Sequence, residues 1–87
     1  MTEPIIIDEY KLVVRPIGVP GLTPGTPAGY VGSGYIERID GTAVEGSARV
    51  IHSGELRPSP SALFYTEAAA YEATEMWGRS KIAEFDL

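Results

Sequence analysis

The sequence contains no cysteine, one histidine and one tryptophan, and it carries seven basic residues against twelve acidic ones. Without cysteine there is no disulfide, no thiolate nucleophile and none of the common zinc frameworks. The single histidine, His52, leaves metal chemistry to scattered carboxylates, and no Asp-x-Asp-x-Asp-Gly spacing suits calcium. We therefore expect no metal and no cofactor. No apolar run approaches the ~20 residues of a membrane span, and Glu3 stands where a secretory leader needs positive charge. A soluble, cytoplasmic protein with no membrane contact is the expectation. The formal charge of −5 repels phosphate backbones, and the seven bases are spread along the chain rather than clustered, so no nucleic-acid partner is expected.

What the chain does have is a C-terminal amphipathic stretch, Thr66 to Lys81. At ~100° per residue, Ala69, Ala70, Ala73, Met76, Trp77 and Ser80 share one arc of a helix, with Glu72, Glu75 and Arg79 opposite. Thr66 suits the N-cap, Glu67 the first turn, and Glu75 with Arg79 an exposed i,i+4 pair. This spacing predicts Trp77 as a principal core residue and Thr74 as a position of little consequence. A small-residue face of this kind needs a flat partner, and at 87 residues that partner must be a sheet built from the preceding chain. One domain, with one core and a stability of about 4 to 13 kcal/mol, is all this length supports.

In order, Ile5 to Arg15 reads as a first strand, with Tyr10, Leu12 and Val14 alternating against Lys11, Val13 and Arg15. Residues 16–29 hold four prolines and four glycines and read as a long loop, mobile or functional. Tyr30 to Ile39 is a second strand ending at Asp40-Gly41, a hairpin dipeptide, although the connection could extend to Gly46. A third strand spans about Ser47 to His52, and Ala62 to Tyr65 could add a short fourth. The predicted class is α+β: a three-stranded antiparallel sheet with one C-terminal helix packed on one face.

The Tyr-Lys start of the strand at Tyr10, the Ile39-Asp40-Gly41 hairpin, and Phe64-Tyr65-Thr66-Glu67 leading into Ala70, Ala73, Trp77-Gly78-Arg79 and Ile82 together resemble small bacterial βββα proteins of unassigned function. The resemblance spans most of the chain and implies the fold, not an activity. The long Pro/Gly segment departs from the brief first hairpin of those proteins. The strand order is also similar to the second half of double-stranded RNA-binding domains, although their N-terminal helix and basic helix start are missing. A weak nucleic-acid-binding module is accordingly the alternative function.

Candidate residues fall into four groups. His52 has only Ser53 and Glu55 as sequence neighbours able to act with it, so we read it as structural or solvated, and no catalytic constellation emerges. Gly29, Gly32 and Gly34 only superficially suggest a phosphate loop, because they lead into a strand with no lysine following; relief for close packing is the better reading. Pro24-Gly-Thr-Pro27 matches a PxxP ligand formally, in a stretch better read as a connector. Tyr30, Tyr35 and Arg38 could stack single-stranded bases, against which stands the acidic balance.

The expected function is protein interaction through the sheet face the helix leaves bare, with a protein partner or a weak homodimer. With Tyr10, Leu12 and Val14 inward, Val13 points out. In the third strand Ala48 and Val50 are expected inward, with Arg49 and Ile51 outward. One of Tyr35 and Ile36 must also be outward. Pro20, Leu22, Pro24 and Pro27 form the accompanying mobile loop.

Overall fold

A computed structural model of the chain describes residues 3–85. Its elements are β1 (Ile5–Ile7), β2 (Tyr10–Val14), β3 (Ile17–Pro20), β4 (Pro27–Val31), β5 (Gly34–Arg38), β6 (Val50–His52) and α1 (Glu67–Phe85). All pairings are antiparallel. Strands β1-β2-β5-β6 form one sheet and β3-β4 a second. The α+β class and C-terminal helix match expectation, whereas a single three-stranded sheet does not.

Two of the expected strands are divided, the first by a turn and the second by a change of sheet. Ile5 to Arg15 folds back at Asp8-Glu9, with Ile7 opposite Tyr10 and Asp8 at φ 54. Aspartate tolerates this left-handed conformation better than most residues, so the turn forms without the glycine that usually advertises it. Tyr30 to Ile39 is interrupted at Gly32-Ser33, where the chain leaves β3's partner β4 and joins β2 as β5. Gly32 exchanges both backbone hydrogen bonds with Leu56, at 2.8 Å each, and Tyr30 does the same with Phe64 at 2.9 Å. The expected fourth strand near Phe64 is thus a single bridge.

The supposed loop at 16–29 is a β-hairpin arm. Its tip is a type II turn with Pro24 and Gly25 at the central positions, Gly25 at φ 83, and the Thr26 N–H donating to the Thr23 carbonyl at 3.1 Å. The prolines do not break the ladder because of where they sit. Tyr30 spends its backbone groups on Phe64, so its opposite number Gly18 is a non-hydrogen-bonded partner whose own N–H and C=O face away from β4. Pro16 and Pro20 share that outward parity, and Pro27 opens β4. None of these three removes an N–H that the ladder needs.

The helix packs closely because small residues meet small residues. Ala70, Thr74, Gly78 and Ile82 form its buried stripe. A side chain on Gly32 would collide with Thr74 and with the Ala70 carbonyl, and one on Gly78 with Leu12. The arc expected from hydrophobicity is therefore rotated. Met76 is 64% exposed, Ser80 is exposed, and Trp77 flanks the core half-buried. Thr74 is fully buried, its hydroxyl donating to the Ala70 carbonyl at 2.8 Å. The cap is as predicted: the Ala69 N–H donates to Thr66 Oγ1 at 3.1 Å, and Arg79 meets Glu75 at 2.8 Å. The helix runs past Lys81 to Phe85, so Ile82 joins the core and Phe85 packs on Tyr10 with ring centroids 5.5 Å apart.

Register decides the third expected strand. The connection from β5 to β6 is not a tight hairpin at Asp40-Gly41 but residues 39–49. Its first turn is held by Thr42, whose N–H and hydroxyl both donate to Asp40 Oδ1, at 3.0 and 2.6 Å. Its second part turns through Gly46, with Val44 N–H donating to Ala48 at 2.8 Å and the Val44 side chain buried in the core. The strand that emerges sets Ile51 opposite Ile36, on the helix side. Ile51 is thus inward and Val50 outward, the reverse of the expectation, because one residue of register exchanges the faces of a strand.

Candidate interaction surface

Antiparallel partners share a face, so the register determines which side chains the helix leaves uncovered. One row across the sheet is Ile6–Lys11–Glu37–Val50 and the next is Val13–Tyr35–His52. Alternation along each strand puts these opposite Ile5, Ile7, Tyr10, Leu12, Ile36 and Ile51, which pack toward α1. Helix α1 lies on β2, β4 and β5 from the other side, and the β3-β4 arm pairs with neither β2 nor β5. The rows therefore form an open face.

Chemically the face is apolar with one charged pair across it. Ile6 is 58% exposed, and Val13, Tyr35 and Val50 are half-buried. The Tyr35 and His52 rings meet at 6.0 Å with an interplanar angle of 56°. Lys11 Nζ lies 2.6 Å from Glu37 Oε1. That hydrogen bond, together with the carboxylate's charge, holds the Lys11 ammonium above its usual pKa of 10.5. An internally paired Lys11–Glu37 adds little net charge, so it does not set the sign of a partner.

Of the residues singled out from sequence, Val13 and Tyr35 lie on this face side by side. Ile36 is fully buried beneath the helix, and Ile51 lies on the helix side at the margin of the core. Arg49 is exposed in the connection just before β6. Pro20 ends β3, Pro27 begins β4, and Leu22 and Pro24 are exposed at the arm's tip, outside the four-stranded sheet. Sequence reasoning missed Ile6, Lys11, Glu37 and Val50 as members. The signal that could have found Ile6 was Asp8 as a turn residue between two alternating runs.

The other candidate groups are taken apart by the fold. Arg38 lies over the Tyr10 ring at 5.1 Å and pairs with Glu9 at 2.7 Å, on the opposite face from Tyr35, so Tyr30, Tyr35 and Arg38 form no common platform. The amides of Gly32 and Gly34 are already given to the Leu56 carbonyl and to Ser53 Oγ, at 2.8 and 3.0 Å, leaving none for a phosphate. His52 is exposed, and among the described residues it pairs with no carboxylate. Nor, among the described residues, do three or more His, Asp or Glu gather as a metal set. No described helix is long and apolar enough to cross a membrane.

Among the described residues, five of the seven bases sit in ion pairs: Lys11, Arg38, Arg57, Arg79 and Lys81. Comparison of the chain with protein-family models, curated proteins and solved structures found no match to any of them.

Proposed function

We propose that this chain is a protein-interaction domain rather than a catalyst, and that it binds its partner through the outer face of the four-stranded sheet. The observation that carries this reading is the pair of rows around Val13–Tyr35–His52 and Ile6–Lys11–Glu37–Val50, apolar at both flanks and covered by neither α1 nor the arm. A protein surface suits such a face. Apolar side chains gain from burial, at roughly 25 cal/mol per Å2 removed from water, while the internal Lys11–Glu37 pair asks for no countercharge. The half-buried tyrosine at its centre is the kind of side chain that anchors interfaces, an apolar ring with a polar tip. The alternative of nucleic-acid binding is disfavoured by the paired bases and the charge of −5.

A photo-crosslinking side chain introduced at Tyr35 in cells tests this. Discrete protein adducts from position 35, lost on adding Val13→Glu and not formed from Glu72 on the exposed side of the helix, are expected. Equal adducts from both positions, or none from position 35, would refute the assignment.

A further inference from the structure

The described structure has three free strand edges, and two of them carry prolines where a further strand would dock. In β2 the odd-numbered residues bond toward β5, as the Ile39 N–H to Glu9 carbonyl (3.0 Å) and Arg15 N–H to Ser33 carbonyl (2.7 Å) bonds show. On β1, therefore, Ile5 and Ile7 face β2, and only Ile6 turns its N–H outward, between Pro4 and the Asp8 turn. On β3 only Gly18 does so, between Pro16 and Pro20. Proline supplies no N–H and blocks strand addition.

The β6 edge is different. The Ser53 N–H donates to the Gly34 carbonyl at 3.0 Å, so Ser53 and Ile51 face β5 while Val50 and His52 both turn their N–H and C=O groups outward. No proline lies between Pro27 and Pro58.

We propose that β6 is the site of homodimerisation, pairing antiparallel with β6 of a second copy about a two-fold axis at Ile51. This register engages every outward group of the strand. Val50 pairs with His52 of the second copy, and His52 with its Val50, giving four N–H···O=C bonds. Axes at Val50 or His52 would leave one residue of each strand unpaired. The arrangement is self-complementary in side chains too. Ile51, half-buried at the margin of the core, meets its own copy as a close non-hydrogen-bonded pair. Arg49, exposed and in none of the ion pairs among the described residues, comes opposite Ser53 of the second copy, beside the turn that carries Glu55. Among the described residues the Glu55 carboxylate is engaged only by a long 3.4 Å contact to Arg57. A foreign extended peptide would gain the four backbone bonds but neither the apolar pair nor the two charge contacts. The resulting eight-stranded sheet would carry the outer face across the axis, from Val13–Tyr35–His52 directly into Val50–Glu37–Lys11 of the other copy.

The test combines sedimentation equilibrium with amide hydrogen exchange on the full chain. The wild type is expected to dimerise, with the Val50 and His52 amides protected at millimolar and unprotected at micromolar concentration. Those of Ile6 and Gly18 should stay unprotected at both. His52→Pro removes an N–H that has no partner among the described residues, and should weaken association on the order of 30-fold, two backbone bonds being lost per dimer. Arg49→Glu should weaken it as well, and Glu55→Arg in the same chain should restore it. A chain that remains monomeric at millimolar concentration, with freely exchanging Val50 and His52 amides, overturns the proposal. So does a dimer that survives His52→Pro and yields to Tyr35→Glu, a result that would leave the outer face standing as the binding surface.

Discussion

The contact between Gly32 and Thr74 predicts an energetic coupling that sequence inspection would not suggest. A methyl group added at Gly32 meets the Thr74 hydroxyl first, then the Ala70 carbonyl and Leu56 Cβ, each at 3.1 Å. Two of those three neighbours are fixed, one as helix backbone and one as a Cβ. The helix must therefore lift or tilt, and overpacking of this kind costs about 1 to 3 kcal/mol. We expect Gly32→Ala to lie near the top of that range, about 3 kcal/mol, against a total of about 4 to 13 for a domain of this size. In thermal unfolding followed by far-UV circular dichroism this is a fall in Tm of about 12 to 24 °C. Thr74→Ala alone should cost about 1 to 2 kcal/mol, since it deletes a buried methyl and a hydroxyl bonded at 2.8 Å to a carbonyl already inside the helix. The double variant should cost about 1 to 2 kcal/mol less than the sum, because the first obstacle to the new methyl is gone. Thr74→Ser combined with Gly32→Ala, keeping the oxygen, should recover less. If the two single effects add to within about 0.5 kcal/mol, the helix is not seated on Gly32 as described.

Three further outcomes follow from the same structure. Thr66→Ala should lower stability by about 1 kcal/mol and speed hydrogen exchange at Ala69, whose N–H it leaves without the side-chain acceptor; unchanged exchange at Ala69 would argue against the cap. Ile51→Glu should destabilise the fold by about 2 to 4 kcal/mol in urea unfolding, because Ile51 packs on the helix side opposite Ile36, whereas Val50→Glu should stay within about 1 kcal/mol. The Asp40 carboxyl, held below its ordinary 3.8 first by the Thr42 hydroxyl and then by the Thr42 N–H, should titrate below that value by carboxyl NMR and return toward it in Thr42→Ala. A depressed acid stabilises the fold above its unfolded pKa. The turn should therefore loosen only as pH falls from about 3.8 through the lower folded value, and loosening at higher pH would contradict the assignment.

What the sequence determined by itself was local. Thr66 caps the helix because its hydroxyl reaches an amide three residues on, and Glu75 finds Arg79 because four residues bring a helix round to the same side. Tyr10, Leu12 and Val14 are buried because alternation along a strand leaves them on one face. None of these depends on what lies across the molecule. The faces of β6 and α1 do.

Whether Val50 or Ile51 points at the core was decided by how many residues the 39–49 connection takes up, and a single residue of slip reverses the answer. The buried stripe of α1 was decided by Gly32 and Leu12. A helix drawn close to a sheet buries its smallest residues, so Thr74 and Gly78 displaced Met76 and Trp77, which hydrophobicity alone would have placed inside. The arm was hidden for a related reason. Prolines at Pro16 and Pro20 read as breakers until the Tyr30–Phe64 bridge shows that their missing amides point away from the ladder. Only pairing across the chain fixes which side of a strand needs its hydrogen-bond donors. The candidate surface was legible in Val13 and Tyr35, and the rest of it was assembled by that pairing.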